Sequence, residues 1–127
     1  MPKSNYLNNI VLNSSLRAIS WTPPAQVYVA LFTVAPTASG GGTEVTGGAY
    51  VRQTVTFGSP TSQTCTNTGA ISFPLATASW GTVVAFALFD QPTAGNMLYF
   101  ANLSAPRAIV VNDQMVFPSG QIAVAES

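Results

Sequence analysis

Across residues 80–90 the chain reads Trp-Gly-Thr-Val-Val-Ala-Phe-Ala-Leu-Phe-Asp, its most apolar stretch. Side chains of a strand alternate between faces, so Val83, Ala85, Ala87 and Phe89 would point one way and Val84, Phe86 and Leu88 the other. Such a run needs cover on both sides. The Val-Val pair, the flanking Gly81 and the turn residues Asp90-Gln-Pro-Thr-Ala-Gly95 favour a strand over a buried helix. The expectation is a central strand with the rest of the chain built around it.

Residues 25–33 repeat the pattern. Val27, Val29 and Leu31 alternate with Tyr28, Ala30 and Phe32, again apolar on both faces. Residues 50–57 alternate more plainly, with Val51, Val55 and Phe57 expected inward and Tyr50, Arg52, Thr54 and Thr56 outward. Further short strands are predicted at 70–73, 96–103, 107–111, 114–117 and 121–125. Turns at Ala105-Pro106, Asn112-Asp113 and Pro118-Ser119-Gly120 separate the later ones. About eight short strands after one leading helix indicate a mainly β fold, an antiparallel β-sandwich or jelly roll, and not alternating βαβ units. At 127 residues the expected organisation is a single β domain over 1–127, with a helix at 4–19 and the sandwich at 25–125.

The helix has Ser4 or Asn5 as its N-cap and places Leu7, Ile10, Val11, Ser14 and Ala18 on one face. Leu12, Leu16 and Ile19 form a second stripe roughly 140° away at 100° per residue. Either the helix is sunk in its own core, or one stripe docks on the domain and the other on a second subunit. Trp21-Thr-Pro-Pro24 is expected to end it. A loop over 34–48 carries Ser39-Gly-Gly-Gly-Thr-Glu44, without the Gly-Lys-Ser/Thr ending or helix start that a phosphate cradle requires. The candidate interface is Leu12, Leu16, Ile19 and Trp21 with Gly40, Gly41, Gly42, Glu44 and Arg52. An internal ion pair is the alternative for Glu44 and Arg52.

Charged residues make up only 6% of the chain and sum to zero net charge. Lys3, Arg17, Arg52 and Arg107 are too scattered for a phosphate-binding stripe, so no nucleic-acid partner is expected. So little charge implies that much of the surface is covered by a protein partner. No apolar run approaches the ~20 residues of a membrane span, and no membrane partner is expected. The Met-Pro-Lys-Ser-Asn-Tyr start does not read as a secretion signal, so synthesis inside a cell is expected. Cys65 is the sole cysteine.

The absence of histidine removes the commonest general base and metal ligand. The carboxylates are Glu44, Asp90, Asp113 and Glu126. Asp90 with Glu44 is the one conceivable glycosidase-like pair, but turn roles for Asp90 and Asp113 are the plainer reading. The expectation is a protein without enzymatic activity and without catalytic, cofactor or metal residues. Trp21, Trp80, Tyr50 and Tyr99 would stack on sugars if exposed. Otherwise Trp80 fills the core and Trp21 anchors a helix or an interface.

Several blocks carry a more specific signal: Asn5-Tyr-Leu-Asn-Asn9, Val27-Tyr-Val-Ala-Leu-Phe-Thr33, Gly42-Thr-Glu-Val-Thr-Gly-Gly-Ala-Tyr-Val-Arg52, Val55-Thr-Phe57, Trp80-Gly-Thr82 and Phe117-Pro-Ser-Gly120. In order and spacing the chain resembles a family of small tailed-phage virion proteins, labelled tail fibre proteins or similar to capsid cement (decoration) proteins. It departs from that pattern at Val84-Ala85, in place of a more polar pair. The resemblance implies a homotrimeric cement protein on the capsid surface of the virion. Such a protein would straddle joints between major capsid proteins and hold the shell against the pressure of packed DNA. A tail-fibre or receptor-binding module is the alternative.

Overall fold

The computed structural model describes residues 1–125. Glu126 therefore lies outside the described residues. In chain order the elements are α1 (Asn5–Leu16), β1 (Val27–Val34), β2 (Thr43–Glu44), β3 (Gln53–Val55), β4 (Thr64–Thr66), β5 (Ile71–Ser72), β6 (Gly81–Phe89), β7 (Met97–Ile109), β8 (Val116–Phe117) and β9 (Ala123–Ala125). The main sheet is antiparallel, in the order β2-β1-β6-β7. β3 joins the same edge of β1 as β2, and β4–β9 and β5–β8 form separate pairs. The fold is mainly β, as the alternation indicates, and its layers are those of a sandwich.

β6 is the strand on which the two layers depend. One core joins Val29 and Leu31 of β1 and Val83 and Leu88 of β6 to Ile71, Phe117, Ile122 and Val124 from the paired strands and their flanks. A second cluster on the other face joins Ala30 and Phe32 to Ala85, Ala87 and Met97. The two-sided burial follows the sequence, but the alternation breaks once. Val83 packs in the first core and Val84 against the second, the reverse of expectation. The cause is a slip in pairing: Val83 faces Arg107 while Ala85 faces Asn102, so residues 103–106 of β7 stand opposite Val84 alone. An excess of residues on one strand disrupts the ladder and turns a side chain to the other face.

The same excursion corrects the turn expected at Ala105-Pro106. The segments at 96–103 and 107–111 are one strand, β7, because Pro106 sits where the ladder is already interrupted and needs no amide proton. The strand expected over 50–57 shortens to β3, and its inward set changes. Val51 is exposed, whereas Tyr50 packs against the first core and the Arg52 side chain is only 6% exposed. The left-handed run Gly47, Gly48 and Ala49, with φ of 74°, 59° and 68°, swings the chain so that Tyr50 enters the core ahead of β3.

α1 ends at Leu16, short of Ile19 and well before the prolines. Ala18 adopts a left-handed φ of 54°, and the Arg17 and Ile19 amides both donate to the Asn13 carbonyl. The C-terminal turn is closed locally, without proline.

Candidate interaction site

The N-terminal segment is tied to the sheet at its root. Ser4 is buried and caps α1 by accepting from the Leu7 amide at 3.2 Å. Its hydroxyl donates to the Met97 carbonyl and its amide to the Leu98 carbonyl, while the Phe100 amide donates to the Pro2 carbonyl. Leu7 is the one buried residue of α1. Beyond it none of residues 8–26 is buried, and Val11, Leu12, Leu16, Ile19 and Trp21 are all exposed, Leu16 by 77%. The chain thus carries an arm whose first stripe seats through buried Leu7 and half-buried Ile10, leaving the Leu12–Leu16–Ile19 stripe open.

The glycine loop meets the base of this arm. The Asn5 amide donates to the Ala38 carbonyl at 2.8 Å, and the Asn5 side-chain amide donates to the Ser39 hydroxyl at 3.1 Å. Thr37 and Gly40 exchange backbone hydrogen bonds of 2.8 Å, closing the loop on itself. Gly40 and Gly41 have open space where a Cβ would stand, whereas at Gly42 a Cβ would collide with the Val34 carbonyl oxygen. A cavity of about 560 Å³ separates the loop from α1, lined by Asn5, Tyr6, Ser39, Glu44 and Asn96 among others. Two elements that the sequence marks separately form one surface.

Glu44 and Arg52 lie behind that surface as a brace. Arg52 donates from Nε and Nη2 to the two Glu44 oxygens, both at 2.8 Å, and from Nη1 to the Gln91 and Ala94 carbonyls at 3.0 and 2.8 Å. Its guanidinium carbon is 3.9 Å from the centroid of Phe89. Tyr50 donates to Glu44 at 2.6 Å and accepts from the Leu31 amide at 3.0 Å. β3 pairs with β1 up to Val29 and β2 begins at Phe32, so the Tyr50 hydroxyl fills the gap between two ladders. Burial opposes ionisation of Glu44, but hydrogen bonds from Arg52 and Tyr50 outweigh it and hold its pKa below the ordinary 4.5. Burial and the neighbouring Glu44 carboxylate push the Tyr50 hydroxyl far above its usual range. Burial works against the Arg52 cation, and Glu44 more than offsets this.

The remaining candidates resolve into structural roles. Asp90 accepts from the Asn96 backbone and side-chain amides at 2.7 and 3.1 Å, and Asp113 accepts from the Val110 amide at 3.1 Å, so both close turns. Trp80 is buried and donates to the Gly48 carbonyl at 2.8 Å. Cys65 is half-buried in β4 opposite Val124. Among the described residues, no group of three or more His, Cys, Asp or Glu side chains gathers as for a metal, and no helix is long and apolar enough to cross a membrane.

Asn67 gave no sequence signal. Buried, it donates to the Gly69 and Pro118 carbonyls at 2.8 and 3.0 Å and accepts from the Ile122 amide at 2.9 Å, tying the β4 end to the approach to β9. A lone Asn in a Thr-rich stretch reads as loop, and two of its three partners, Pro118 and Ile122, lie more than fifty residues away.

A family model described as "Podophage GP4 fiber I protein gp80" matches residues 2–125. The chain belongs to that family. It is thereby a bacteriophage virion protein, in agreement with the resemblance carried by its sequence blocks. The match takes in the arm, the glycine loop and the brace together. Comparison with curated proteins finds no match.

Proposed function

We propose that this fiber I family member is a fibre module of a phage virion that works without catalysis, by joining neighbouring subunits through apolar surface at both ends of its sheet. The observation that carries this reading is where that surface lies. The arm leaves the body beside the start of β7 and returns at the start of β1. Exposed Val34, Val110 and Val111 lie at the opposite end, where β1 and β7 finish. With a net charge of zero, the chain as a whole is not kept from its neighbours by like-charge repulsion. A surface that differs at its two ends favours head-to-tail contacts, and such contacts build filaments when they do not close.

Capsid cementing is the second reading. The exposed Leu12–Leu16–Ile19 stripe of the arm suits a contact with a major capsid protein as well as one with a neighbouring fibre subunit. A homotrimer over a joint between major capsid proteins would use the same arm and loop, with Glu44 and Arg52 acting behind them.

Purified protein added to virions that lack it, followed by imaging, tests both. Density confined to the tail region, lost in the Leu12→Ser/Leu16→Ser variant, is the expected result. Density over joints of the head shell would overturn the fibre reading in favour of cementing.

A further inference from the structure

We propose that the cleft between the arm and the 90–96 turn binds a neutral pyranose sugar. This cleft, of about 320 Å³, is lined by three aromatic residues, Tyr6, Trp21 and Tyr28, and by Gln26, Asp90 and Gln91. Its size falls within the range of small-ligand pockets, which begins at about 300 Å³. Tyr6 and Trp21 are 38% and 36% exposed, so their rings are open to a ligand. Of the aromatic residues that the sequence marks for stacking, Trp80 and Tyr50 are committed to the core and to each other, with ring centroids 5.4 Å apart. Tyr99 is half-buried against the first core, and Trp21 is left at the cleft.

The lining selects a chemical class. A pyranose offers an apolar C–H face, which an aromatic ring matches, and an edge of hydroxyls, which amide and carboxylate groups match by both donating and accepting. An anionic ligand has no counter-charge here, because none of the lining residues is basic and Asp90 is acidic. A wholly apolar ligand would leave the Gln26 and Gln91 amides and the spare lone pairs of Asp90 unused.

The polar wall is built in advance. Both Asp90 oxygens accept hydrogen bonds from Asn96, and each keeps a further lone pair. Arg52 pins the turn through the Gln91 and Ala94 carbonyls. Gly95, at φ 76°, is required for this close fit, since a Cβ there would stand 2.6 Å from Asp90 Oδ1. A rigid wall spares the ordering cost that a floppy loop would incur on binding. Arg52 acts on this cleft as a positioning residue.

The test is an NMR titration of the full-length protein with the methyl glycosides of glucose, galactose, mannose and N-acetylglucosamine. At least one should shift the Trp21 indole N–H resonance saturably. The Trp80 indole resonance, held on Gly48, should stay in place and report that the fold is intact. Trp21→Ala and Asp90→Asn, followed on the side-chain amides of Gln26 and Gln91, should each weaken binding about tenfold or more. Three results would each overturn the assignment: no saturable shift with any of the four sugars, binding undiminished in Trp21→Ala, or tighter binding of N-acetylneuraminic acid than of the neutral sugars.

Discussion

Arg52 grips Glu44 with two parallel hydrogen bonds of 2.8 Å, joining the end of β2 to the approach to β3. The guanidinium side chain is 6% exposed and the carboxylate side chain 25%, so the pair is largely out of water. Removing one partner of such a pair leaves a charge without compensation. Arg52→Met is expected to cost about 3 kcal/mol in urea unfolding, near the low end for breaking a buried pair because Glu44 keeps some contact with solvent. Arg52→Met combined with Glu44→Gln should cost less than Arg52→Met alone, since the uncompensated charge is gone.

The same carboxylate sets an acid limit. Its pKa in the folded protein lies below 4.5, so its contribution is fully present above the unfolded-state value and is lost as pH falls through the lower folded-state value. Stability measured from pH 6 downward should decline below about 4.5, and Glu44→Gln should flatten part of that slope. Tyr50 behaves in the opposite sense. Its folded pKa is raised, so its contribution is complete below the ordinary value of 10 and is lost only as pH rises through the folded-state value. In an ultraviolet titration Tyr50 should not ionise near pH 10, and its phenolate should appear only with alkaline unfolding.

Gly48 and Gly47 make a matched pair for mutation. Both are left-handed, at 59° and 74°, but a Cβ on Gly48 would lie 2.7 Å from Trp80 Nε1 while one on Gly47 meets nothing within 4 Å. Gly47→Ala should cost about 1 to 2 kcal/mol, the price of the backbone conformation alone. Gly48→Ala should cost clearly more and alter Trp80 fluorescence, because the indole must abandon its hydrogen bond to the Gly48 carbonyl.

Asn67 makes a sharper prediction about polarity. Its side chain faces two carbonyl acceptors and one amide donor, a set that only an amide satisfies. Asn67→Asp, which sets a carboxylate against those two carbonyls, should destabilise more than Asn67→Ala. Asn67→Ala itself is expected to cost about 1 to 3 kcal/mol for the groups left unpaired. Hydrogen exchange should show the loss first in the β4–β9 pair.

Leu16 should separate folding from assembly. At 77% exposure it contributes little to the isolated chain, so Leu16→Lys should leave the unfolding midpoint within about 0.5 kcal/mol of the parent. Attachment to virions should weaken nonetheless, read as unbound protein after sedimentation.

The fold was legible where one local pattern sufficed. The two-sided runs of β1 and β6 announce a covered sheet, and Ser4 announces the start of α1. Legibility failed where a distant partner decides the outcome. Pro106 reads as a turn because nothing nearby reveals that its strand carries residues in excess of Val84's position. Arg52 reads as outward because alternation does not disclose Glu44, Phe89 and two carbonyls waiting to receive it. Val51 reads as inward for the same reason, although the left-handed residues before Tyr50 reset the phase. At the interaction site, the glycines and the second helical stripe were visible as separate signals, but their meeting through Asn5 and Ala38 was not.

The arm returns to the body at Val27, at the head of β1, and β1 is hydrogen-bonded along both flanks, to β6 on one side and to β3 and β2 on the other. Ladder bonds of this kind run across the strand axis. A tug along that axis therefore loads every rung at once, and the rungs must shear together where a peeled edge would open one by one. A particle buffeted in solution would be held at its strongest seam.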